Sequence, residues 1–212
     1  MKVTLSFDNG PTDTTAEVLD VLADRGVSTT FFVVGEQLAR PGARALTERA
    51  AADGHWIGNH TMTHSVQFGD FADSALPARE IGVAQDVIGP MAHPDKLFRP
   101  YAGGGVLDER VFSAAAIEYL QQHRYTCVLW TSVPHDWDSP DQWVQRCLHD
   151  IAQQDWSVVV IHDLPTGAMS HLPAFLDELD RLGAEIVQHF PQACVPIRNG
   201  ALTADLSPLT TH

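Results

Sequence analysis

Two histidines four residues apart, His60 and His64 in "HTMTH", are the first candidates for chemistry in this chain. On a helical turn that spacing points both imidazoles the same way, and neutral imidazole suits Zn, Co, Ni or Fe. The chain has 11 histidines, so the spacing alone does not make a site and a third ligand is needed. Asp8-Asn9 in "SFDNGP" is the natural source. Read locally, that stretch is an Asp/Asn-Gly-Pro turn leaving a strand. Read chemically, Asp8 is a carboxylate at a strand mouth, able to take a proton from a metal-bound water.

Three further segments carry titratable groups. In "KLFRPY" Arg99 lies inside an apolar run, where an unpaired guanidinium is costly, so Asp8 or Asp136 is expected as its partner. Tyr101 follows Pro100 and so has the next free backbone N–H, which could face a developing oxyanion. In "SVVVIHD" His162 is either a core histidine satisfied by backbone or a general acid, with Asp136 or Asp138 to hold its tautomer and raise its pKa. Trp137, in "PHDWDSP", could wall a sugar-binding groove, or belong to the core.

These residues follow apolar runs in a regular alternation. Short β-rich runs (KVTLSF, STTFFVVG, HWIGNH, KLFRPYAGGG, TCVLWTS, SVVVIHD, AEIVQHF) alternate with longer helical patterns, one of them opening at Asp108 as N-cap. Alternation of this kind implies βαβ crossovers and a mainly parallel sheet. Near-continuous apolar strands imply that both faces are covered. Seven strands suit an incomplete barrel or an open doubly wound sheet, and periodicity does not choose. In either architecture chemistry belongs at the carboxyl ends of the strands, which is where Asp8, His60, His64, Arg99, Asp136 and His162 fall.

Composition excludes several classes. The formal net charge is −14, which argues against nucleic acid or an anionic membrane surface as partner. No apolar run reaches the length of a transmembrane helix. With 44% hydrophobic residues in 212, the chain can bury a full core, and no linker or internal repeat divides it. Cys127, Cys147 and Cys194 are read as buried reduced thiols. No basic and then apolar leader opens the sequence, so a cytoplasmic protein is expected.

Taken in order, "SFDNGP", "HTMTH", "RPY", "HDWD" and "VIHD" resemble the motifs of the polysaccharide deacetylase (NodB-homology) family, carbohydrate esterase family four. The resemblance spans about Ser6 to Asp163. It implies a single α/β domain over 1–200, a distorted seven-stranded (β/α) barrel of mainly parallel strands, followed by a C-terminal tail, 201–212. It further implies a divalent metal, Zn or else Co or Ni, on His60, His64 and Asn9. Asp8 would be the catalytic base held by Arg99, and Tyr101 would supply the oxyanion N–H. Asp136 would tune His162 as general acid, and Ile161 would line the acetyl pocket beside Trp137. The implied activity is removal of an acetyl or acyl group from an N-acetylated sugar or related carbohydrate by a metal-bound water. The family has a second Asp where this chain has Asn9, an "R-x-P-Y" where it has "RPY", and often an additional Asp where it has Val133. Asn9 removes one negative charge from the metal shell, which weakens a divalent ion's binding. The alternatives are a metal-poor C–N hydrolase acting on a small soluble amide and a catalytically silent carbohydrate-binding protein.

Overall fold

The helices form where apolar residues recur at helical spacing. Trp143, Cys147 and Ile151 make one buried face of α5 (Trp143–Ile151), and Leu172, Phe175, Leu176 and Leu179 that of α6 (Leu172–Arg181). The computed structural model describes residues 1–211. Ahead of these two helices come β1 (Lys2–Asp8), α1 (Thr15–Asp24), β2 (Thr30–Val33), α2 (Ala43–Ala52), β3 (Trp56–Asn59), α3 (Val83–Ile88), β4 (Leu97–Phe98), α4 (Ala114–Gln122) and β5 (Thr126–Cys127). β6 (Trp156–His162) lies between α5 and α6, and β7 (Glu185–Ile186), β8 (Ile197–Arg198) and β9 (Ala201–Leu202) close the chain. No helix among the described residues is long and apolar enough to cross a membrane.

The sheet runs β6-β1-β2-β3-β4-β5-β8-β9, with β7 beside the first residues of β1. Strands β1 to β7 pair in parallel, and the β8–β9 hairpin joins antiparallel. Beyond β5 the chain reaches β6 through a single parallel bridge, Ser132 to Val159, so the sheet curls back toward its own first edge. The architecture is therefore α/β in one domain with a curled, mixed, nine-stranded sheet, not seven parallel strands. The difference lies at the C-terminal end. The expected boundary at residue 200 cuts the β8–β9 hairpin, and within 201–211 Leu206 is buried in the second core and Thr210 bridges to Phe112.

Strand alternation sorts side chains between two environments. Val3, Leu5 and Phe7 of β1 join Val159 and Ile161 of β6 in the main core, with Leu19, Trp143 and Phe175 from the helices. Thr4, Ser6 and Asp8, the intervening residues, are buried on the opposite, concave face. All three cysteines are free and buried, as expected. Asp108 does not cap α4: Ser113 does, its hydroxyl accepting from the Ala116 N–H at 3.2 Å, while Asp108 accepts from Arg110 N–H in the loop before it. Several expected strands are shorter than their apolar runs, 96–105 contracting to Leu97–Phe98 and 126–132 to Thr126–Cys127. Beyond those pairs the chain leaves the ladder to build loops at the sheet's carboxyl edge.

Candidate active site

β1 and β6 pair in a register that sets Asp8 opposite His162. Both residues end their strands on the concave face, at the mouth of a cleft of about 270 Å³. The cleft is lined by Asp8, Asn9, His60, His64, Tyr101 and His162, with Trp130, Val133, Trp137, Val160 and Leu164 among its apolar walls.

Asp8 is held by Arg99, whose Nη1 donates to Asp8 Oδ1 at 2.7 Å and to Ser6 Oγ at 2.6 Å. Arg99 is fully buried, and its guanidinium lies 4.0 Å from the Phe32 ring centroid. Of the two carboxylates expected as its partner, Asp8 is the one it meets. The guanidinium occupies one carboxylate oxygen of Asp8 and leaves the other available as an acceptor. The second oxygen, Oδ2, lies 3.5 Å from His60 Nε2.

His60 and His64 do come together, with ring centroids 4.7 Å apart, but not on a helical turn. The segment after β3 is a loop in which Thr61 and His64 take left-handed backbone angles, φ 66° and 52°. Side chains hold that loop. Asn59 Oδ1 accepts from Thr61 N–H at 3.0 Å, and Thr61 Oγ1 accepts from His64 N–H at 3.0 Å. Glu80, buried on a π-turn (Ala78–Gly82) that leads into α3, accepts from the Thr63 N–H at 3.0 Å and from its hydroxyl. His60 Nδ1 lies 2.9 Å from the Arg99 carbonyl, which fixes the tautomer with Nδ1 protonated and leaves Nε2 as a lone-pair donor. Burial pushes both imidazoles down to about 3, so both are neutral at physiological pH.

Among the described residues no three His, Cys, Asp or Glu are arranged to hold a metal. The third donor at this mouth is an amide. Asn9 sits at φ 73° and its buried Oδ1 has no hydrogen-bond partner. Two neutral imidazoles and an orphaned amide oxygen on the same cleft form a donor set that a divalent cation would satisfy, so the residues present fit such an ion.

His162 is held by Asp136 twice. Its Nδ1 is 2.8 Å from Asp136 Oδ1, and its backbone N–H donates to Oδ2 at 2.9 Å. Burial opposes charge on the ring, but the Asp136 carboxylate outweighs it and carries the His162 pKa above its ordinary value. Asp138 is turned outward instead, toward His135 and Arg146. Trp137 meets the His162 ring edge-on, with centroids 4.9 Å apart. Tyr101 lies against His64 at 4.5 Å, and among the described residues its backbone N–H donates to no protein acceptor.

Ile161 is the sequence candidate that the fold removes from the cleft. It is fully buried in the main core, because consecutive strand residues point to opposite faces. Val160, together with Leu164 beyond the strand, is what lines the cleft. Sequence reading also passed over Trp130, whose Nε1–H donates to the Gly105 carbonyl at 3.1 Å and pins the glycine loop. Its position near the end of an apolar run was the available signal. Glu80 left no signal, since a lone acid in a helical pattern reads as solvated. Asp163 is fully buried behind the first loop, accepting from the Thr15 hydroxyl, and burial pushes its pKa up to about 6.

A family model described as polysaccharide deacetylase matches residues 1–128. A chitooligosaccharide deacetylase of Rhizobium leguminosarum bv. phaseoli is 33% identical over 165 residues, 75% of this chain and 66% of the relative. One from Bradyrhizobium sp. (strain ANU 289) is 34% identical over 169 residues, 76% of this chain and 70% of the relative. The chain thus spans about two thirds of the length of these relatives. Among solved structures, a family 4 acetyl xylan esterase from Clostridium thermocellum in complex with a cobalt ion superposes with a TM-score of 0.72 at 25% identity, covering 89% of this chain and 88% of that one.

Proposed function

Because the chain belongs to the polysaccharide deacetylase family, hydrolases of carbon–nitrogen bonds, we propose that it removes an acetyl group from an N-acetylated sugar. The observation that carries this reading is the in-register pair at the cleft, a buried carboxylate held by Arg99 opposite an imidazole held by Asp136. A binding groove needs neither a poised base nor a poised acid. Asp8 is held as a proton acceptor by Arg99, and His162 as a proton donor by Asp136.

Asp8, held in place by Arg99, takes the proton of the water that attacks the acetamide carbonyl. The oxyanion that develops is met by the backbone N–H of Tyr101. His162 presents the ring nitrogen not used by Asp136, Nε2, and donates its proton to the departing sugar nitrogen. Asp136 keeps Nδ1 protonated throughout, so the ring hands over only its Nε2 proton. Trp137, Val160 and Leu164 wall the cleft against bulk water and give the acetyl methyl an apolar surface. His60 Nε2, His64 and the Asn9 amide oxygen would hold a divalent ion, which supplies Lewis-acid polarisation and acidifies water.

Acetate release from N-acetylglucosamine oligomers tests the reading, with Asp8→Asn and His162→Ala alongside the parent. We expect release by the parent and a loss of roughly 10²–10⁴-fold in each variant. Parent-level turnover by either variant, or no release on any acetylated sugar, would overturn it.

A further inference from the structure

Three polar side chains at the cleft mouth are each held by a partner. Arg99 holds Asp8, the Arg99 carbonyl holds His60 Nδ1, and Asp136 holds His162. Asn9 is different: among the described residues its buried Oδ1 has no partner at all. Where that oxygen sits is therefore set by the main chain on either side of residue 9.

On one side the main chain is fixed by the ladder, which ends with Asp8 opposite His162. On the other side it is fixed by the residue after His162. The Asp163 carbonyl accepts from the Thr12 hydroxyl, and the Asp163 carboxylate accepts from the Thr15 hydroxyl. Thr12 and Thr15 are themselves joined, Thr12 N–H donating to Thr15 Oγ1 at 2.8 Å and Thr15 N–H to the Thr12 carbonyl at 3.2 Å. Asp163 thus grips a closed turn, and Thr15 opens α1 behind it. The Gly10 carbonyl, accepting from Val34 N–H at 3.0 Å, ties the same turn to the end of β2.

The Asp163 carboxylate also fills the space beside Gly10. Gly10 has no left-handed backbone angle, so conformation does not demand glycine there. Close approach does, because a Cβ at position 10 would collide with the carboxylate. Asp163, Thr12 and Thr15 are all buried. Among the described residues Asp163 Oδ1 has no hydrogen-bond partner, and the side chain borders a small void with Pro11 and Phe31. Burying a carboxyl with one oxygen unpaired is costly, and the hydrolytic steps make no use of it.

We propose that Asp163 is the positioning residue for Asn9: it clamps the 10–15 turn to the carboxyl end of β6 and so fixes the place of the Asn9 amide oxygen. This role rests on the reading of Asn9, His60 and His64 as donors to a divalent ion. Removing the carboxyl leaves the Thr15 hydroxyl without its acceptor and opens space beside Gly10, into which the turn can shift. His60 and His64 are held independently, by the Arg99 carbonyl and by Thr61. The loss should therefore be that of one donor, not of the whole site.

Calorimetric Zn²⁺ titration of metal-free protein tests this, with urea midpoints taken alongside to show that each variant is folded. Asp163→Ala and Asn9→Ala should each weaken Zn²⁺ by about tenfold or more. Asp163→Asn, which keeps the shape and one acceptor oxygen, should stay within about twofold of the parent. In the Asn9→Ala background Asp163→Ala should add almost nothing, since the group it positions is gone. Parent-like affinity in Asp163→Ala, an Asp163→Asn as weak as Asp163→Ala, or a full further loss in the double variant overturns the proposal. Should Asp163→Ala not fold, Thr15→Val severs the clamp from the other side. It should weaken Zn²⁺ by about threefold or more, with Thr15→Ser close to the parent, and parent-like affinity in Thr15→Val overturns the proposal equally. Asn9→Ala separates the two claims. If it weakens Zn²⁺ and Asp163→Ala does not, only the clamp falls; if it binds like the parent, or the parent binds no Zn²⁺, the donor reading of Asn9 falls and the proposal with it.

Discussion

Asp136 grips His162 at two points, with one carboxylate oxygen 2.8 Å from the ring Nδ1 and the other 2.9 Å from the backbone nitrogen. The same side chain thereby sets the position of the imidazole and its charge. Both partners are buried, so the coupling is little screened by solvent.

Replacing Asp136 by Asn should separate these two effects. The acid works only when protonated, so activity falls as pH rises through the His162 pKa. That pKa is raised by the Asp136 carboxylate, and its removal moves the alkaline limb of the pH–rate profile to lower pH. Turnover at neutral pH should drop by roughly 10²-fold or more. A limb that stays in place would show that Asp136 orients the ring without tuning it.

Arg99 and Asp8 should behave as one unit. Arg99→Met strands a buried carboxylate and should cost about 3–5 kcal/mol in urea unfolding. Asp8→Asn strands the guanidinium and should cost a similar amount. The double variant should lose clearly less than the sum of the two, and strict additivity would deny the coupling.

Ile161 and Val160 are neighbours with different duties. Ile161→Ala should destabilise the fold by about 2–5 kcal/mol and leave KM unchanged. Val160→Leu, in the cleft wall, should raise KM with little effect on stability. The opposite pattern would put Ile161 in the cleft after all.

Glu80 acts on the histidine loop from behind. Glu80→Ala removes the acceptor for Thr63 and should weaken Zn²⁺ binding by about tenfold in calorimetric titration. Glu80→Gln, which keeps one acceptor oxygen, should recover part of that loss. Equal, unperturbed affinity in both variants would reduce Glu80 to packing.

Asp163 carries a pH signature in stability. Its pKa is raised by burial from 3.8 to about 6, so the folded state holds the proton more tightly than the unfolded chain. The resulting stabilisation is complete below 3.8 and is lost as pH rises through about 6. Asp163→Asn cannot ionise and should gain on the parent across that window by roughly 2–3 kcal/mol, then run parallel above it. Parallel curves throughout would mean that Asp163 titrates normally.

Much of this site was legible in one dimension because a parallel sheet collects strand ends at one edge. The apolar runs located the strands, and Asp8, Arg99, Asp136 and His162 followed from the polar residues at their ends. What failed were local inferences carried one step too far. The i,i+4 spacing of His60 and His64 suggested a helical turn, but left-handed angles at Thr61 and His64 join the rings instead. The long apolar runs before Gly105 and Ser132 suggested long strands, but most of each run packs as loop.

By itself the sequence determined the order of elements, the identity of the candidate acid and base, and the neutral amide at position 9. Those follow from residue type and from periodicity, which are properties of the chain alone. Only the tertiary structure decided that Arg99 meets Asp8 and that Asp136, not Asp138, meets His162. It also turned Ile161 inward and left Asn9 Oδ1 unpartnered. Pairing, facing and satisfaction depend on register and on contacts between distant segments, which no local pattern encodes.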